Sequence, residues 1–207
     1  MDLNHQFTVA VPVEDAWRIL TDVERIAPCL PGAQLQEIES DTYRGVVKVK
    51  VGPIQAQFKG QASFIERDDV AHKVVLKGEG RDTTGKGNAA AVITAEMTAV
   101  DASNTSVTVN TDLSVTGKVA QFGRGAMADI SDKLLAQFVV NLNTLIAEQP
   151  AAAAPAAAQA PTEGVRTIDS ADVAPLNLLS AAGSPILKRA IPVVVVIVAV
   201  LVWLAVR

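Results

Sequence analysis

The chain has 207 residues, a formal net charge of −4 and one cysteine, Cys29. Its first 148 residues carry 14 Lys and Arg against 19 Asp and Glu, net −5, without the basic stripe that a nucleic-acid binder presents. A lone cysteine excludes an intrachain disulfide, and two histidines, His5 and His72, leave too few ligands for a His/Cys metal centre.

The N-terminal stretch MDLNHQFTVAVP has no basic segment ahead of an apolar core, so no secretory signal is expected and the folded part is expected in the cytoplasm. A strand is predicted over residues 3–10. From Pro12 to Thr21 a short helix follows, opened by proline and early carboxylates, with Val13, Trp17 and Leu20 on one face. Next, Pro28, Pro31 and Gly32 make a rigid loop around Cys29. Strand signals then dominate residues 33–116. In IQAQFKGQASF, Ile54, Ala56, Phe58, Gly60, Ala62 and Phe64 alternate with polar residues, and similar alternation runs through 88–99 and 105–115. Gly52-Pro53, Arg67-Asp68-Asp69 and Asp101-Ala102-Ser103-Asn104 read as hairpin turns. From Lys118 to Glu148, Phe122, Met127, Ile130, Leu134, Phe138, Leu142 and Leu145 form a helical stripe. This order predicts an α+β domain over 1–148, about six antiparallel strands after the first, curved around one long helix that covers the apolar face.

Residues 149–187 are rich in Ala and Pro and read as a flexible tether of roughly 35 Å end to end. Within it, Leu176-Asn177-Leu178-Leu179 is an apolar cluster, either an accident of composition or a docking patch for a membrane or a partner. Residues 188–207 close the chain with Lys188-Arg189, seventeen uncharged residues and Arg207. As a helix those seventeen would measure about 26 Å, slightly short of a hydrocarbon core of about 30 Å. Ile191, Val195, Val198, Leu201, Trp203 and Leu204 are the expected bilayer contacts of a tail anchor, and the basic pair before it keeps the domain on the cytoplasmic face. A buried core helix or a partner-binding helix is the alternative.

On the predicted inner face the residues expected to line an apolar ligand cavity are Phe58, Ala62 and Phe64, then Val74 and Leu76, then Ile93 and Met97, then Val109 and Leu113. Met127, Ile130 and Leu134 face them from the long helix. Alanine and glycine are frequent on this face, which permits either close helix–sheet packing or unfilled apolar space. His72 falls in register with Val70, Val74 and Leu76 and reads as a hydrogen-bonded core or rim histidine. Cys29 has no evident base beside it, and the paired carboxylates sit in turns, so no catalytic residue and no metal site is expected.

FTVAVPVEDAWRILTDVERIAPCLPGA (Phe7–Ala33) and VTGKVAQFGRGAMADISDKLLAQFVVNL (Val115–Leu142) resemble the CoxG family, the G subunits of carbon monoxide dehydrogenases, within the START-like, helix-grip (SRPBCC) superfamily. The resemblance implies a seven-stranded antiparallel sheet wrapped around a C-terminal helix, with an elongated cavity of the kind that holds lipids, sterols or polyketides. It also implies an accessory role beside a CO dehydrogenase or related molybdenum hydroxylase, at the membrane. Cavity, anchor and resemblance together suggest a carrier that takes a respiratory lipid quinone, menaquinone or ubiquinone, between membrane and dehydrogenase. A ligand-free protein that moors or assembles the enzyme is the alternative.

Overall fold

The alternating segments fold into a meander whose register can be followed strand by strand. The computed structural model describes residues 1–51, 54–85, 87–148, 166–168 and 176–177. Strand β1 (Asp2–Val9) leads to helix α1 (Val13–Leu20), a single turn α2 (Val23–Ile26) and a 3₁₀ turn (Ala27–Cys29). Six strands follow: β2 (Ala33–Glu39), β3 (Thr42–Val51), β4 (Ile54–Asp68), β5 (Lys73–Asp82), β6 (Asn88–Ala99) and β7 (Thr105–Val115). A 3₁₀ turn (Val119–Phe122) and helix α3 (Gly123–Glu148) come next, and two short strands, β8 (Arg166–Thr167) and β9 (Leu176–Asn177), complete the described chain.

The sheet runs β1-β7-β6-β5-β4-β3-β2-β8, antiparallel throughout, with β9 added parallel to β3. β1 through β7 are the seven strands expected, and β1 closes on β7 so that both chain ends of the meander share one side. Bulges between Leu35 and Glu37 and between Phe64 and Glu66 bend it further. Gly45, Gly60 and Gly80 stand directly opposite one another across β3, β4 and β5. A Cβ on Gly60 would lie 2.0 Å from the Glu79 carbonyl oxygen, and one on Gly45 would lie 2.3 Å from that of Gln34. No side chain fits so close an approach of backbone to backbone.

α3 lies across the concave face, but only its second half is packed tightly. Phe138 and Leu142 join Val9, Val74, Met97 and Val107 from the sheet and Ala16, Trp17, Ile19 and Cys29 from the α1–α2 corner in one buried cluster. Phe7 meets Phe138 edge to face at 6.2 Å. Asn141 Nδ2 donates to the Cys29 carbonyl at 3.0 Å, tying α3 to the corner.

Four expectations are corrected by the structure. The long helix does not start at Lys118, because Gly123 takes φ +77 and separates the 3₁₀ turn from α3. Val70 lies in the β4–β5 turn, 92% exposed, and shares no face with Val74 and Leu76. The convex face is not uniformly wet, since Val46 and Val75 are buried on it. Within the segment read as a tether, the described residues are held to the sheet and are not free coil: Arg166–Thr167 pairs with β2, the Ile168 N–H donates to the Gln36 carbonyl at 2.7 Å, Arg166 pairs with Glu24, and Leu176–Asn177 pairs with β3. Gly52-Pro53 and the anchor residues Ile191, Val195, Val198, Leu201, Trp203 and Leu204 lie outside the described residues. Among the described residues no helix is long and apolar enough to cross a membrane.

Candidate functional site: the concave face

Pairing places the expected cavity residues of the sheet on one face, since directly opposed residues point the same way. One cross-strand row reads Tyr43, Ala62, Gly78, Ala91, Leu113. The next reads Phe64, Leu76, Ile93, Thr111, Leu3, and the one after it Val74, Ala95, Val109, His5. Met97, Val107 and Phe7 follow, while Phe58 stands beside Val47 and Asp82 at the opposite end.

These rows divide the face into two halves. At the end capped by α1 and α2, Val74 and Met97 are buried in the core cluster, with Phe64 and Val109 packed against it. Towards the other end Phe58, Ala62, Leu76, Ile93 and Leu113 are only half-buried, as are Met127, Ile130 and Leu134 on the facing part of α3. Val47, beside Phe58, is 42% exposed. A Cβ on Gly78 would meet nothing within 4 Å. The apolar lining of this half is thus only half-buried and its Gly78 position open, whereas the other half is tightly packed.

Polar groups on this face are few. The Tyr43 ring meets Phe64 edge to face at 6.0 Å, and burial, with Asp41 and Asp22 nearby, pushes its hydroxyl above the ordinary tyrosine range. It therefore stays protonated and able to donate. His5 Nε2 lies 3.1 Å from Asp132 Oδ1 on α3, a contact between sheet and helix that no local sequence signal announces, because 127 residues separate the pair. Thr111 and Asp82 also face inward; Asp82 is occupied by the Thr84 N–H and hydroxyl at 2.8 and 3.0 Å. His72 lies in the β4–β5 turn at φ +48, not in the strand register expected for it, and is not hydrogen-bonded through Nε2, which is buried 3.3 Å from Glu14; its ring is 5.5 Å from Trp17.

Chemistry elsewhere is sparse. Burial raises the Cys29 thiol above its usual range, outweighing nearby Arg25, so the group is a poor nucleophile. Among the described residues no group of three His, Cys, Asp or Glu could hold a metal. The convex side of β2–β6 carries an open depression of about 580 Å³ lined by Glu37, Arg44, Lys59, Glu79 and Arg81. Arg44 pairs there with Glu39 and Glu79 with Lys77, so an apolar chain laid on it would desolvate charged pairs.

Residues 6–147 match the family model of CoxG, the G subunit of carbon monoxide dehydrogenase. A conserved protein from Geobacillus kaustophilus is similar in structure, with TM-score 0.65 and 19% identity over 72% of this chain and 96% of that one. Ara h 8.0201 aligns with TM-score 0.51 and 12% identity, over 71% of this chain and 98% of its own. At such identities the likeness shows the helix-grip fold alone. No curated protein sequence matches the chain.

Proposed function

The chain belongs to the CoxG family of carbon monoxide dehydrogenase subunits, and on that premise we propose that it is an accessory protein that carries a lipid quinone between the membrane and a CO dehydrogenase-type molybdenum enzyme. The observation that carries this reading is the unequal burial of the concave face: one half is packed solid and the other is apolar but half-buried. An isoprenoid tail carried through water would expose several hundred Å² of apolar surface, worth on the order of 10 kcal/mol. Phe58, Leu76, Ile93 and Leu113 opposite Met127, Ile130 and Leu134 would offset that cost. The protonated Tyr43 hydroxyl is the inward donor available to a quinone carbonyl. The C-terminal apolar segment, read as a tail anchor on the cytoplasmic face, would keep the domain beside its cargo.

The test is direct. Residues 1–177, which retain β8 and β9, are purified from a quinone-containing host and extracted with organic solvent, and bound molecules are identified by mass spectrometry. A stoichiometric isoprenoid quinone is expected. A clean, ligand-free protein that still binds the dehydrogenase would instead make it a mooring protein, the reading favoured by the solid packing around Val74 and Met97.

A further inference from the structure

Parallel pairing of β9 with β3 gives the C-terminal tail a direction. Leu176 stands opposite Val49 and Asn177 opposite Lys50, so the described part of the tail runs along β3 towards its C-terminal end. That end is also where β4 and β6 begin, where β5 and β7 finish, and where α3 starts. It is the half-buried, apolar end of the concave face. Only residues 178–187, ten in number, separate Asn177 from Lys188. Fully extended they reach about 35 Å, the length of β3 itself, whereas a tether free from residue 149 would leave the domain to tumble.

Charge is polarised along the same axis. Lys48, Lys50, Lys59, Arg81, Lys118 and Arg124 lie towards the end to which β9 runs. Glu39, Asp41, Asp68, Asp69 and Asp101 lie at the capped end, where Arg44 pairs with Glu39 and Arg67 with Asp69. Lys59 and Arg81 are directly opposed in a cross-strand row that reads Val46, Lys59, Arg81, Asn88 and contains no carboxylate. Like charges so placed repel; Glu37 and Glu79 line the same depression, and an external anion would add to the relief they give. Carboxylates stand at this end too: Asp82 is committed to its turn, Asp112 to the N-terminal ammonium at 3.4 Å and Glu79 to Lys77 at 2.5 Å, while Asp2 lies opposite Asp112.

We infer that this end of the domain docks on an anionic lipid surface, its basic rim against the headgroups and the open half of the concave face turned to the bilayer, with β9 as the pin that sets the orientation. The inference rests on the tail-anchor reading given above. A cargo lipid would then enter or leave without the domain reorienting, while the acidic, capped end points away towards the cytoplasm.

The full chain, with Cys29→Ser and a fluorophore on either Gln55→Cys or Ser103→Cys, is reconstituted into phosphatidylcholine–phosphatidylglycerol vesicles containing a headgroup spin-labelled lipid. Quenching several-fold stronger at residue 55 than at residue 103 is expected. The difference should collapse at 1 M salt, where screening shortens to about 3 Å, and in a Lys50→Glu, Lys59→Glu, Arg81→Glu variant whose thermal unfolding is checked alongside. Equal quenching of both labels on protein that resists carbonate extraction would overturn the docking while leaving the anchor intact. A triple variant that keeps the difference would overturn the role of the basic rim. Release of the wild-type chain by carbonate would overturn the tail-anchor reading, and the docking with it.

Discussion

The Trp17 indole N–H donates to Asp69 Oδ1 at 2.8 Å, joining α1 to the β4–β5 turn across 52 residues of sequence. Arg67 shares the same oxygen at 3.0 Å and lies 5.5 Å over the Trp17 ring, and His72 packs on that ring from the other side of the turn. This cluster closes the capped end of the concave face.

Its pH dependence has a definite sign. The hydrogen bond from Trp17, then that from Arg67, holds the Asp69 carboxyl below the usual carboxylate range. A group whose pKa is lowered by folding contributes its stability above the unfolded value, about 4, and loses it as pH falls through the lower folded value. In a Trp203→Phe background, Trp17 fluorescence should therefore show a step in acid as Asp69 is protonated. Asp69→Asn should abolish that acid step; an unchanged step would assign it to another carboxylate.

Gly32 is the conformational key of the CLPGA loop. It sits at φ +79, its carbonyl accepts the Lys48 N–H at 2.8 Å, and an added Cβ would lie 2.2 Å from the Lys48 oxygen. Both strain and collision oppose a side chain, so Gly32→Ala should cost at least about 2 kcal/mol in urea unfolding. A neutral result would mean that the loop and β3 part easily.

The two halves of α3 should respond differently to the same truncation. Leu142 is 0% exposed within the core cluster, so Leu142→Ala should cost about 3–4 kcal/mol through lost burial and the cavity left behind. Half-buried Leu134 faces the open half, and Leu134→Ala should cost about 1 kcal/mol. Equal losses by chemical denaturation would show that both halves are packed alike.

Filling the open half should separate binding from folding. Ala62 and Gly78 are opposed on β4 and β5, and space lies where a Gly78 side chain would go. Ala62→Trp, and independently Gly78→Leu, should leave the melting temperature near wild type yet abolish retention of copurified lipid. Retention by both folded variants would argue strongly against a guest on this face.

Most of the sheet was legible in the sequence because a solvated antiparallel strand must alternate, and β4, β6 and β7 do so over ten residues or more. The α3 stripe was legible for the same reason at period 3.6, and CLPGA marked a loop through Pro and Gly alone. Composition also settled the lack of an intrachain disulfide and the acidic balance of residues 1–148.

What only the tertiary structure decided depends on register and distance. Alternation assigns a face to Ala62, Gly78 and Ala91, but pairing alone lines them up in one row, and pairing alone sets Gly45 against Gly60 and Gly80. Periodicity ranks Met127 and Leu142 equally; burial separates them, because the α1–α2 corner covers one end of the face and not the other. His5–Asp132 and Trp17–Asp69 are contacts between segments that share no local pattern. The Ala- and Pro-rich stretch looked uniform because composition sets chain stiffness, whereas free backbone donors and acceptors along β2 and β3 decide where such a chain is caught.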